Sequence, residues 1–222
     1  MSGVVVQVGS NVHNIPVGSK VAVNPALDDQ HYDMEPCTTC AIGKRNIHKR
    51  FASYGLSAPG GGFATEIVAM ALNCIVLPDA VSLQVGALLG SLAVAWHFIR
   101  TCGFKNGQKV LLLGAGPIGL AILILFRVWG ARYVYRGEGS EPSNPALSAV
   151  HQAVGEDGGW MSPSMLQGLQ ALESGNLPAH KMITSIVPLE DVVKKGFHAL
   201  MHSNASHVNI LVQPRSRVGE VS

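Results

Sequence analysis

Apolar and polar positions change rhythm along the chain. Residues 3–8 (Gly-Val-Val-Val-Gln-Val) are rich in β-branched side chains and end at Gly9-Ser10-Asn11, which predicts a strand and a turn. Val21-Ala22-Val23, stopped by Pro25, predicts a second strand, and Phe63 to Ala69, after Pro59-Gly60-Gly61-Gly62, a third. Beyond Pro78-Asp79 the period lengthens. Ser82 is placed to cap a helix through Leu83, Ala87, Leu88, Ala95 and Trp96 towards Arg100. Lys109 to Leu113 reads as a compact apolar strand and Leu120 to Trp129 as an apolar helix, with Tyr133-Val134-Tyr135 as the next strand. Residues 140–159, with Pro142, Pro145, Gly155, Gly158 and Gly159, read as loop with one short helix at most. Leu189, Val192, Val193, Phe197, Leu200 and Met201 recur at helical spacing after Pro188, predicting a helix with one apolar face. Val208 to Val212, stopped by Pro214, closes the pattern as a strand. A mostly β first part followed by alternating strands and helices is an α/β texture.

Composition narrows this further. Of 222 residues, 47% are hydrophobic and 14% charged, a balance that favours a packed core over disorder. The 16 basic and 14 acidic side chains are scattered and give a formal charge of +2, with no basic block to follow a phosphate backbone, so nucleic acid is not an expected partner. Val81 to Ile99 and Val110 to Phe126 approach bilayer-spanning length. Ser82, Gln84 and His97 interrupt the first, and a Gly-rich turn divides the second, so both are expected in the core and no membrane association follows. Four cysteines (37, 40, 74 and 102), with no apolar leader after Met1, fit a reducing, cytoplasmic setting. Cys74 and Cys102 lie in apolar contexts that suggest core positions, as does His97 beside Trp96.

The strand Lys109 to Leu113 runs directly into Gly114-Ala-Gly116-Pro117-Ile118-Gly119 and then into helix. A diphosphate must approach the backbone at a helix start, where free N–H groups and the dipole favour negative charge, and side chains at Gly114 and Gly116 would obstruct it. Gly119 allows close packing of helix on strand. Glu138, 19 residues beyond Gly119, stands where an acid can accept from a ribose diol, which favours NAD over NADP, although Arg132 and Arg136 lie nearby. A tight structural βα turn that binds nothing is the competing reading.

Cys37-Thr-Thr-Cys40 has the spacing at which two thiolates share a zinc ion, and His48 follows in a basic, polar loop. A closed tetrahedral site needs one more ligand, for which His31 and Asp33 are the nearest donors in sequence. Two free thiols in a loop remain the alternative.

Together these segments resemble the zinc-type medium-chain alcohol and polyol dehydrogenases, in particular the butanediol and sorbitol dehydrogenase branch. The resemblance is carried by Ser2-Gly-Val-Val-Val with Val17-Gly-Ser-Lys-Val-Ala-Val, Gly61-Gly-Phe-Ala-Thr-Glu66, Val110 to Gly119, and Ile183-Thr-Ser with Pro188-Leu-Glu-Asp-Val-Val-Lys-Lys-Gly-Phe. It implies an α/β protein made of a partial GroES-like β-rich catalytic domain (residues 1–100), an incomplete Rossmann cofactor domain (101–165) and a C-terminal segment returning to the first domain (166–222). It further implies NAD as cofactor and hydride transfer between a small secondary alcohol or polyol and the nicotinamide. The chain departs from the family in several places. A catalytic Cys and a His-Glu pair expected upstream of Ser2 are absent, and Gly90-Ser91 replaces an expected Glu-Pro. In the structural-zinc loop Met34 and His48 stand at the first and fourth cysteine places. No residue of this chain is therefore assigned a catalytic role, and full activity is not expected from it alone. The alternative is a non-catalytic protein that binds NAD or pairs with a full-length relative, and a homo-oligomer is compatible with either.

Overall fold

The computed structural model describes residues 1–114, 116–137, 163–202 and 207–215. The N-terminal part holds a three-stranded antiparallel sheet, with β2 (Lys20–Val23) between β1 (Ser2–Val4) and β5 (Cys74–Val76). Val21 and Val23 point into a small core with Ile15, while Ala22 faces a larger one, the period-two alternation expected of a strand with apolar groups on both sides. The expected strand over Phe63 to Ala69 does not form. Both flanks of β2 are occupied by β1 and β5, and Phe63 and Val68 are left exposed. A loop lobe leaves the sheet through a short ladder of β3 (Ala26–Leu27) with β4 (Ala52–Ser53), and carries α1 (Thr38–Ala41).

The helix expected after Ser82 is divided in two. The Ser82 hydroxyl accepts from the Val85 N–H at 3.3 Å and starts α2 (Leu83–Gly86), after which the chain breaks and resumes as α3 (Leu89–Thr101). Leu89, Leu92, Ala93, Ala95 and Ile99 bury one face of α3 against α4 (Pro117–Val128) and α5 (Pro163–Glu173). β6 (Lys109–Leu113) leads into α4, and β7 (Tyr133–Gly137) returns parallel to β6 in the register Lys109 to Tyr133 through Leu113 to Gly137. Both apolar stretches of near-bilayer length are thus broken by their own turns, and among the described residues no helix is long and apolar enough to cross a membrane.

The ends of α4 follow from its sequence. Pro117 occupies the first helical position, where a missing N–H costs nothing. At the other end Gly130 takes φ +82°, its N–H donates to the Arg127 carbonyl and the Ala131 N–H reaches the Phe126 carbonyl, a Schellman stop. Ala121, Ile122, Leu125 and Phe126 are buried, and Phe126 meets Phe98 and Phe104 edge to face.

The C-terminal segment forms β8 (Ile183–Pro188) and β9 (Asn209–Gln213), a parallel pair. The single helix expected after Pro188 is replaced by a 3₁₀ turn over Leu189–Asp191, a π segment over Val192–Phe197 and a short α6 (His198–His202). Gly196 is buried there, with Val192 and Val187 in contact range of any Cβ it might carry. The widened π turn rotates the apolar set outward, and Val193, Phe197, Leu200 and Met201 are exposed.

Candidate cofactor turn and metal centre

The turn between β6 and α4 is built from three glycines with three different duties. Gly114 has φ +98°, a left-handed backbone conformation that suits a residue without a Cβ. Gly116 is extended and forms the N-cap of α4 without any side-chain cap. Among the described residues, and chain neighbours apart, no atom lies within 4 Å of a Cβ built on Gly114 or Gly116, so the space above both is open. Gly119 is the opposite case, since a Cβ there would collide with the Gly114 carbonyl oxygen. The first backbone bond across this end runs from the Leu120 N–H to the Gly116 carbonyl at 2.9 Å. Pro117 has no N–H, which leaves the Ile118 and Gly119 amides as first-turn donors directed out of the helix end. Glu138, the expected ribose acid, lies outside the described residues.

In the loop lobe the structure brings together Asp29, Cys37, Cys40 and His48, whose donor atoms all lie within 4.8 Å of one another. Three of these are the residues singled out in the sequence. The fourth donor is Asp29 rather than His31, Asp33 or Met34. His31 faces elsewhere, its two ring nitrogens meeting Asp28 and the Asn73 amide oxygen, Asp33 caps the preceding 3₁₀ turn in a left-handed conformation, and Met34 is exposed. Asp29 carries no spacing signature. It lies eight residues before Cys37 and is fixed by the turn whose N-cap is Asp28. It is not singled out in the sequence reading above, where two adjacent carboxylates, Asp28-Asp29, are the signal available.

The hydrogen bonds around the cluster orient its donors. Nε2 of His48 donates to the Leu27 carbonyl at 2.9 Å, which places the proton on Nε2, and Nδ1, 3.6 Å from Asp29 Oδ1, accepts a long bond from the Arg50 backbone N–H at 3.3 Å that an ion would have to displace. Asp29 Oδ2 accepts from the Cys37 backbone N–H at 2.8 Å, and Oδ1 is held by Arg50. The Cys37 N–H, then its thiol and the Arg50 guanidinium, hold the Asp29 carboxyl far below the usual carboxylate range. The Thr39 hydroxyl, with backbone N–H groups of Cys40 and Lys49, lowers the Cys37 thiol, while burial, followed by the Asp29 carboxylate and Cys37, pushes Cys40 up to about 11. All four cysteines are free, Cys74 half-buried and Cys102 exposed rather than in the core.

The chain is similar to known proteins in sequence and in fold. The alcohol dehydrogenase GroES-like domain family matches residues 1–79. The (R,R)-butanediol dehydrogenase of Saccharomyces cerevisiae is 36% identical over 150 residues, covering 64% of this chain and 39% of the yeast protein. The L-idonate 5-dehydrogenase of Vitis vinifera is 32% identical over 130 residues, covering 59% of this chain and 34% of its own length. The aligned part thus spans little more than a third of these relatives. In three dimensions the 2R,3R-butanediol dehydrogenase of Bacillus subtilis covers 96% of this chain and 79% of its own at a TM-score of 0.76 and 21% identity. An alcohol dehydrogenase of Escherichia coli solved with NADH gives the same TM-score at 19% identity, covering 96% of this chain and 82% of that one. At such identities the structural likeness speaks for the fold, and the sequence matches carry the kinship. An α/β fold with a GroES-like part and a Rossmann-type part, a glycine turn at the strand-to-helix junction and the ordered sequence matches are what this chain has in common with the zinc-type medium-chain alcohol and polyol dehydrogenases, with the GroES-like domain family matched over residues 1–79.

Proposed function

We propose that the chain binds NAD(H) at the turn Gly114, Gly116, Pro117, Ile118 and Gly119, and a zinc ion between Asp29, Cys37, Cys40 and His48, as an oxidoreductase-family protein of the alcohol and polyol class. The observation that carries the cofactor reading is the contrast within one turn. Open space above Gly114 and Gly116 leaves the start of α4 reachable by a diphosphate, and the tight Gly119 contact keeps that start in place. Glu138 is assigned the ribose hydroxyls, which gives NAD preference over NADP. Bound nicotinamide supplies a hydride acceptor, and the part played by this chain's own turn is to hold the diphosphate and orient the cofactor. Residues 1–100 are read as the GroES-like part, 101–165 as the cofactor part and 166–222 as the returning segment.

The metal reading is supported by donor chemistry. Two thiols, one imidazole nitrogen with its tautomer set by Leu27 and one carboxylate amount to the four ligands of a closed zinc site, which contribute to folding rather than to turnover. Tetrahedral zinc places its ligand atoms roughly 3.5 Å apart, so the cluster needs only a small contraction to close on an ion. Among the described residues this is the one group of three or more such donors, and it sits in the loop lobe. The substrate class, a small secondary alcohol or polyol, and a cytoplasmic setting follow from kinship and from the free cysteines, and the present reading rests on cofactor binding rather than on turnover.

A second reading has its own support. Phe63 and Phe197 meet edge to face at 6.1 Å, and with Val193 and Met201 they leave apolar surface exposed, which fits a protein that keeps the fold to pair with a full-length relative. A fluorescence titration with NADH tests the first reading. Saturable enhancement supports it, and no response at millimolar NADH removes the cofactor role. Co-elution with a full-length relative on size exclusion tests the second.

A further inference from the structure

At the end of α4 remote from the glycine turn, an open cleft of about 470 Å³ lies between α3, α4 and α5, lined by Trp96, Arg100, Trp129, Gln167, Gln170 and Ala171. Trp96 and Trp129 meet edge to face, ring centroids 5.1 Å apart and planes at 86°, so one indole presents a face where the other presents an edge. Beside them, Trp96, Arg100 and Gln167 form one bonded set. Gln167 Oε1 accepts from Trp96 Nε1 at 2.8 Å and from Arg100 Nη1 at 2.9 Å, so both lone pairs of that oxygen are used. What Gln167 and Arg100 retain for a ligand is N–H donors only, Gln170 adds an amide that can donate as well as accept, and no carboxylate is among the described lining residues. Arg100 is also held in position by Gln167, so part of the entropy of ordering a long side chain is already spent in the free protein. The carbonyls at the end of α4 are turned to Gly130 and Ala131, and a full guanidinium charge exceeds the half charge of the α3 end.

We propose that this cleft binds a planar aromatic molecule bearing an acceptor-only anionic group, an aryl carboxylate or sulfonate, with its ring against the two indoles and its anion on Arg100 and the Gln167 amide. Two indoles at right angles with a fixed guanidinium beside them suit a planar aromatic anion laid against an open surface cleft. α4 has 12 residues, so the cleft lies about 18 Å from the diphosphate turn and is separate from it.

Saturation-transfer NMR with 2-naphthoate on the full chain tests this, with neutral 2-naphthylmethanol as the matched probe. Sub-millimolar 2-naphthoate binding is expected, about tenfold tighter than the neutral probe and not displaced by NADH. Arg100 is exposed, and Arg100→Gln removes the anion contact without opening the core. Gln167→Glu still accepts from Trp96 and Arg100 while turning a negative charge towards the ligand. Each variant is expected to melt like the parent and to weaken 2-naphthoate about tenfold or more. No transfer at millimolar 2-naphthoate, equal binding of the neutral probe, unchanged binding in both variants, or displacement by NADH overturns the proposal.

Discussion

Gly119 lies so close to the carbonyl oxygen of Gly114 that no Cβ fits between them. Gly119→Ala is therefore expected to force the first turn of α4 away from β6, lowering stability by about 1–3 kcal/mol in urea unfolding and weakening NADH together with it. Gly116→Ala meets no atom of the described residues, so beyond the cost of alanine at an N-cap, about 0.5–1 kcal/mol, its stability should hold while NADH affinity falls, because the new methyl group occupies ligand space. Equal NADH affinity in Gly116→Ala and the parent would place the diphosphate elsewhere.

Zinc analysis of the purified chain should give one ion per molecule. Cys37→Ser and Asp29→Asn are each expected to lower zinc retention against a chelator, the first to background and the second by roughly 10- to 100-fold, since an amide oxygen is a weaker ligand than a carboxylate. Metal-free protein with an unchanged melting temperature would end the structural-zinc reading.

Asn73 joins the loop lobe to the sheet. It is buried, its amide donates to the carbonyls of Asn24 at 2.8 Å and Ala26 at 2.9 Å, and its oxygen meets His31 Nε2. Asn73→Ala leaves two carbonyls and an imidazole nitrogen without a partner, an expected loss of about 2–3 kcal/mol by urea denaturation. A loss below about 0.5 kcal/mol would show that water replaces the amide freely.

Leu125 is fully buried on α4 within the core that α3, α4 and α5 share. Leu125→Ala should cost about 2–5 kcal/mol, with a single unfolding transition followed by tryptophan fluorescence and by circular dichroism alike. Separate transitions for the two signals would mean that the helices do not unfold as one unit.

The parts of this fold legible in sequence are those decided by neighbours along the chain. β6, the glycine turn, α4 and β7 follow one another with apolar runs, a proline at the first helical position and a glycine at the stop, and each local signal agrees with the packing. Phe63 to Ala69 reads as a strand by composition yet has no free flank of β2 to join, which is a fact about pairing and not about its own residues. The segment after Pro188 has helical spacing, but the burial of Gly196 and the π turn direct its apolar side chains outward, against what periodicity alone implies. Cys37, Cys40 and His48 were visible because ligand spacing in a loop is local. Asp29 was not, because a 3₁₀ turn delivers it across the lobe.

The opening of α4 is the proposed seat of a dinucleotide diphosphate, and phosphorus NMR of NADH reads those atoms directly. Adding the chain to NADH should shift and broaden the diphosphate resonances, with the change lost in Gly116→Ala. Resonances that keep their free-solution position and width at stoichiometric protein and millimolar NADH would contradict it.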